Sequence, residues 1–140
     1  MNEAVTRYFI AQYVVDRESY DWYTIQSMFD FIKETSSNDV FASYFNFYRS
    51  EFSPLEKLGK NMKMSATINS ITFLNDTTAQ VRFTKRITEN SGKFIPSYPE
   101  TKWLATVSFA FDKNITTEKQ RLVNPLGFIV KSYKLDQELN

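Results

Sequence analysis

Near residue 60 the hydrophobic pattern of this chain changes period, from about four residues to two, and each period holds for roughly half the length. No other feature limits the fold as strongly. In the stretch EAVTRYFIAQYVVDRESY, no Gly or Pro interrupts, and Val5, Phe9 and Tyr13 recur at four-residue spacing. Tyr8, Ile10, Val14 and Val15 widen the apolar surface beyond one stripe. A helix apolar on more than one side is covered on more than one side, either by sheet and helix or by sheet and a second subunit. Asp21 is placed to cap a second helix through WYTIQSMFDFIK, with Ile25, Met28, Phe29 and Ile32 at helical spacing. TSSND breaks that helix, and Ser37 or Asn38 caps VFASYFNFYRSEF. There Phe41, Tyr44, Phe45 and Tyr48 form an aromatic face that reads as core rather than as a cofactor cage. Ser53-Pro54 closes the helical half, with one more turn through LEKLG to Gly59.

Beyond Gly59, Met62, Met64, Ala66 and Ile68 alternate with polar neighbours. Ile71 and Phe73 then fall on the opposite phase, which predicts a bulge near Asn69-Ser70. NDTT is a turn. Ala79, Val81 and Phe83 line one face of the next strand, with Gln80, Arg82 and Thr84 on the other. ENSGK turns again. After the irregular FIPSYPE, a third strand places Trp103, Ala105, Val107, Phe109 and Phe111 on one face. DKN is read as a turn, and a last strand runs from about Phe128 to Leu135. Helices followed by a meander of four long strands give an α+β fold, N-terminal helices packed on one face of an antiparallel sheet. At 140 residues it forms a single domain.

The composition narrows the chemistry. The chain has no Cys and no His, which excludes disulfides, thiolate zinc sites and the commonest general base. Net charge is +1, so no global field steers the protein to nucleic acid or an anionic membrane. No apolar run approaches the ~20 residues of a membrane-spanning helix, and Met1-Asn2-Glu3 does not open a signal peptide. No phosphate loop, nucleophile elbow, zinc signature or dinucleotide fingerprint occurs, so no catalytic residue, metal or cofactor site is expected. Asp16, Glu18 and Asp21 read as a solvated face, and Lys57, Lys60, Lys63, Lys85 and Arg86 as at most a weak phosphate-contact set.

Two segments stand apart. In YVVDRESYDW, Tyr13 and Arg17 lie one turn apart and can stack, and Arg17 is spaced to pair with Asp21. In NPLGF, Asn124 precedes Pro125, whose ring fixes φ, and Gly127 is free to take positive φ. The expected product is a rigid bend that projects Leu126 and returns Phe128 to the sheet. A rigid loop loses little ordering entropy on binding, which suits protein recognition.

Together these segments resemble the periplasmic domain of the bitopic inner-membrane assembly subunit of bacterial type IV secretion systems, the eighth component of the VirB-type operon. The matching residues are Tyr13, Val14, Arg17, Glu18, Tyr20 and Asp21 in the first helix. Trp103, Ala105, Val107 and Phe109 match in a strand, and Asn124, Pro125, Gly127, Phe128, Tyr133 and Asp136 match at the last one. The resemblance implies a curved, cone-shaped fold like nuclear transport factor two, and a non-catalytic scaffold rather than an enzyme. It implies a domain facing the periplasm, attached to the inner membrane through a preceding segment. It further implies self-association, as a dimer, and contact with other secretion subunits, with translocated DNA or protein as a further contact. On this reading Asn124, Pro125, Leu126, Gly127 and Phe128 form a partner-binding loop. Self-association uses the exposed side of the first helix, with Thr6, Phe9, Ile10 and Tyr13, plus Glu138 beyond the last strand. The rival is a small-ligand binder or carboxylate-based isomerase with a pocket between helices and sheet.

Overall fold

The computed structural model describes residues 2–139. Its elements run α1 (Glu3–Glu18), α2 (Ile25–Thr35), α3 (Asn38–Tyr48), α4 (Pro54–Leu58), β1 (Met62–Asn75), β2 (Thr78–Glu89), β3 (Thr101–Phe111), α5 (Glu118–Val123) and β4 (Phe128–Glu138). The four strands form one antiparallel sheet in sequence order. Among the described residues, no helix is long and apolar enough to cross a membrane.

Local chemistry sets the helix ends. The Asn2 side chain accepts from the Ala4 amide at 2.7 Å, satisfying a donor that the first turn leaves free. At the other end of α1, Ser19 Oγ accepts from the Ala66 amide at 3.1 Å, and Tyr20 bridges to Met64. These bonds pin the helix terminus to β1. The second helix starts at Ile25, later than its apolar pattern suggests. Asp21 caps a turn instead, its carboxylate accepting from the Tyr23 amide at 2.9 Å. Ser37 caps α3, while its own amide donates to the Val130 carbonyl at 2.9 Å and fixes the α2–α3 corner against β4. Ser53, Pro54 and Gly59 delimit α4 as their types predict.

The bulge expected at Asn69-Ser70 is present as a register shift between Ile68 and Ser70. It allows Ala66 and then Ile71 and Phe73 to serve the same face. The core fills the space between that face and the helices: Phe9, Ile10, Tyr13 and Val14 of α1 meet Val81, Phe83, Val107, Phe109, Phe128 and Val130 of the sheet. Burying each side chain of this size removes roughly 1.5–3 kcal/mol of unfavourable hydration. The opposite face, with Arg82, Thr84 and Lys102, is open.

Three expectations are corrected here. The β3–β4 connection is not a bare turn: Thr117 and Gln120 form a capping box that starts α5. Thr6, Phe9, Ile10 and Tyr13 are not on the exposed side of α1; they are 7%, 7%, 0% and 0% exposed, inside the monomer's own core. The outward residues of the first turns are Glu3, Ala4, Arg7 and Tyr8. Glu138 pairs across the sheet with Lys102 and forms an ion pair with Arg82 at 3.5 Å, on the open face. The sheet therefore separates Glu138 from α1, and the two do not share one surface.

Candidate interaction surface

The Asn124–Phe128 segment is a clamp with an outward tip. Asn124 is fully buried, and its side-chain amide donates to the Phe128 carbonyl and accepts from the Phe128 amide, both at 2.9 Å. This carboxamide thus stands in for a strand partner at the first residue of β4. Gly127 adopts φ +68°, and a Cβ there would lie 2.5 Å from the Lys113 carbonyl oxygen. The Lys113 amide donates to the Gly127 carbonyl at 3.0 Å. Its ammonium reaches the carboxylate and backbone carbonyl of Glu34, tying the loop to the end of α2. Phe128 stacks on Phe9 at 5.3 Å between centroids and contacts Phe111 at 5.4 Å.

Asn124, Gly127 and Phe128 therefore face inward, and only Pro125 and Leu126 face solvent. Leu126 is 41% exposed and follows two further exposed apolar residues, Leu122 (77%) and Val123 (40%) of α5. The sequence reading missed Leu122 and Val123. Their signal was the Thr117-x-x-Gln120 capping pattern, followed by an apolar pair with nothing of opposite phase to bury it. Replacing Asn124 with alanine orphans a buried amide and carbonyl, and should cost about 2–3 kcal/mol in urea unfolding.

A second constellation corrects the reading of the acidic cluster as a solvated face. Glu18 is buried, accepts from the Tyr133 hydroxyl at 2.7 Å and pairs with Lys85 at 2.7 Å and Arg17 at 4.0 Å. Arg17 does not pair with Asp21. Its guanidinium lies 3.9 Å from the Tyr133 ring centroid and donates to the Tyr13 hydroxyl at 3.0 Å, so the expected Tyr13–Arg17 contact is present. Tyr13 also shares a 2.7 Å hydrogen bond with Ser36. Lys85 is consumed inside this network and Arg86 pairs with Glu100, so neither is a free phosphate contact.

Burial pushes the hydroxyl pKa of Tyr13, Tyr44, Tyr48 and Tyr133 upward, and at Tyr133 the Glu18 charge adds to it. Because the folded values exceed the unfolded one, their contribution is intact below about pH 10 and is lost as pH rises past it. Phenolate absorbance of these four should therefore appear only together with loss of native circular dichroism. Ionisation of all eight tyrosines in the still-folded protein would contradict the burial.

A cleft of about 720 Å³ lies between α1, α2 and α5 and is lined by Asp16, Asp30, Phe31, Glu34, Lys113 and Val123. Burial raises the Asp16 pKa. Its carboxylate accepts from Gln12 at 2.9 Å, Asp30 accepts from Gln26 at 2.9 Å, and Glu34 holds Lys113. Each acid is already engaged, so no acid–base pair converges here. Among the described residues no cluster of metal-ligating side chains occurs.

An uninterrupted α1 laid along a four-stranded antiparallel meander, with a clamped loop that carries an apolar tip, defines the class of this module. The profile described as VirB8 protein matches residues 1–138, and the chain belongs to the VirB8 family of type IV secretion components. It is 34% identical over 137 residues to the type IV secretion system protein virB8 of Brucella suis, covering 95% of this chain and 55% of that protein. It therefore spans a little over half the length of that relative. The soluble domain of TrwG from Bartonella grahamii has a TM-score of 0.92 at 32% identity, covering 99% of this chain and 96% of that one. The VirB8 protein of Agrobacterium tumefaciens has a TM-score of 0.87 at 28% identity, covering 100% and 96%. The isomerase-like alternative is not favoured by any of these relatives.

Proposed function

We propose that this chain is the periplasmic part of an inner-membrane-anchored subunit, which promotes assembly of a type IV secretion channel by self-associating and by contacting other secretion subunits. The observation that carries this reading is the strip Leu122, Val123 and Leu126, exposed yet held by the buried Asn124–Phe128 clamp. A preset apolar ridge of this kind binds with little backbone ordering cost. Self-association, as a homodimer, uses the outward side of α1, where Tyr8 is 64% exposed among Glu3, Ala4 and Arg7. A modest isologous interface would form there, concentration-dependent in the isolated domain.

Sedimentation velocity separates these roles. Tyr8→Arg should abolish the dimer while retaining heterologous partners; unchanged association would remove α1 from the interface. Leu126→Asp should abolish capture of secretion subunits with stability changed by less than about 0.5 kcal/mol, as expected of an exposed site. Retained capture by Leu126→Asp would remove the loop from the interface. An apolar helix encoded shortly upstream of Met1 would support the inner-membrane, periplasm-facing placement. With a net charge of +1, contact with translocated DNA has less support than contact with protein.

A further inference from the structure

Four of the six exposed aromatic side chains among the described residues gather at one end of the domain: Trp22, Tyr23, Phe47 and Phe52, at 39%, 73%, 47% and 61% exposure. Trp22 and Tyr23 sit on the tip of the α1–α2 turn, closed by the Thr24 amide on the Asp21 carbonyl at 3.1 Å. Phe52 sits on the tip of the α3–α4 turn, closed by the Ser53 amide on the Ser50 carbonyl at 3.2 Å. Both tips belong to one surface. The Tyr20 hydroxyl donates to the Gly59 carbonyl at 2.6 Å, and the Tyr48 hydroxyl reaches the Ser19 carbonyl at 3.5 Å.

Cations frame these rings. Lys60 Nζ lies 5.3 Å from the Trp22 ring centroid, Lys57 Nζ 5.5 Å from that of Phe52, and the Arg49 guanidinium 5.3 Å from that of Phe45. None of the three takes part in an ion pair among the described residues. The local acids are Asp21, Glu51, Glu56 and Glu89 against Arg49, Lys57, Lys60 and Lys63, so the end carries no net charge. One cleft reaches this end at Lys63, and Trp22, Tyr23, Phe47 and Phe52 line none of the four main clefts.

We propose that this end docks on the surface of a lipid bilayer. Trp22, Tyr23 and Phe52 stand on turns and Phe47 on the last turn of α3, all exposed and none lining a cleft, so a flat partner with an apolar interior fits them. Trp and Tyr favour the headgroup level of a bilayer, where Lys and Arg side chains reach anionic headgroups. A peptide would need a groove, and a nucleic-acid strand would need a stronger basic track. With no net charge at this end, ring insertion supplies most of the affinity, and added salt should weaken binding only modestly.

The test uses vesicles of phosphatidylethanolamine and phosphatidylglycerol with a Trp103→Phe protein, in which Trp22 is the only tryptophan. Binding should blue-shift Trp22 emission, expose it to quenching by brominated acyl chains and bring the protein down with the vesicles. In the wild-type background, Trp22→Ser with Phe52→Ser should lower partitioning at least about tenfold while native circular dichroism is kept. Leu122→Ser with Leu126→Ser should leave it unchanged. Absence of partitioning, equal partitioning of the Trp22/Phe52 variant, or loss in the Leu122/Leu126 variant would each overturn the proposal. So would Trp22 quenching by a single-stranded oligonucleotide without vesicle binding, which would assign a base-stacking surface instead.

Discussion

Glu18→Ala is expected to destabilise the domain by about 3–5 kcal/mol, the range for breaking a buried ion pair from one side. The loss is large because Glu18 serves three groups. Its removal strands Lys85, Arg17 and the Tyr133 hydroxyl in surroundings where the ion-paired side chains are only 8–13% exposed. Two cations would then face each other without the carboxylate between them. Adding Lys85→Met should recover part of the loss, since the methionine stem keeps the contact over Trp103, where the ammonium now lies 4.5 Å from the ring centroid. Urea unfolding of both variants checks this. A Glu18→Ala midpoint equal to wild type would mean that the network contributes nothing net.

The second large effect is at Gly127. A valine there meets two separate costs. Positive φ is disfavoured for a side chain with a Cβ by about 1–2 kcal/mol, and more for a branched one. The Cβ would also sit 2.5 Å from the Lys113 carbonyl, which is backbone and cannot swing aside. Overpacking of this kind adds about 1–3 kcal/mol. Gly127→Val should therefore unfold in urea well before wild type, by about 3 kcal/mol in total. Its loss of partner assembly would report on folding. Leu126→Asp, one residue earlier on the solvent side, is the variant that reports on binding. If Gly127→Val keeps full stability, the clamp between this loop and Lys113 is not as tight as its geometry implies.

These two residues also show where sequence reasoning stops. The helices, the four strands and the bulge at Asn69-Ser70 were legible because each depends on local period and local turn chemistry. The α5 helix was not: six residues give too short a period to read, and only its capping box marked it. In NPLGF, Pro and Gly announced a rigid bend. They did not reveal that the Asn124 amide completes the ladder of β4, a contact that exists only once the chain has turned back on itself. On α1, a wide apolar surface left open whether a subunit or the sheet covers Phe9, Ile10 and Tyr13. The sheet covers them.

The sequence by itself determined the α+β order, the absence of Cys and His chemistry and the family resemblance, since these follow from residue types and near-neighbour spacing. Only the tertiary structure decided which charges are buried. Glu18 and Lys85 are 67 positions apart by their numbering, and Tyr133 lies 115 from Glu18. No local pattern can show that a carboxylate on a helix will be desolvated by a strand folded so much later. Burial, not residue type, turned one acid of a nominal surface cluster, Glu18, into the centre of a buried ion network, and left Leu122, Val123, Leu126 and the aromatic tips exposed.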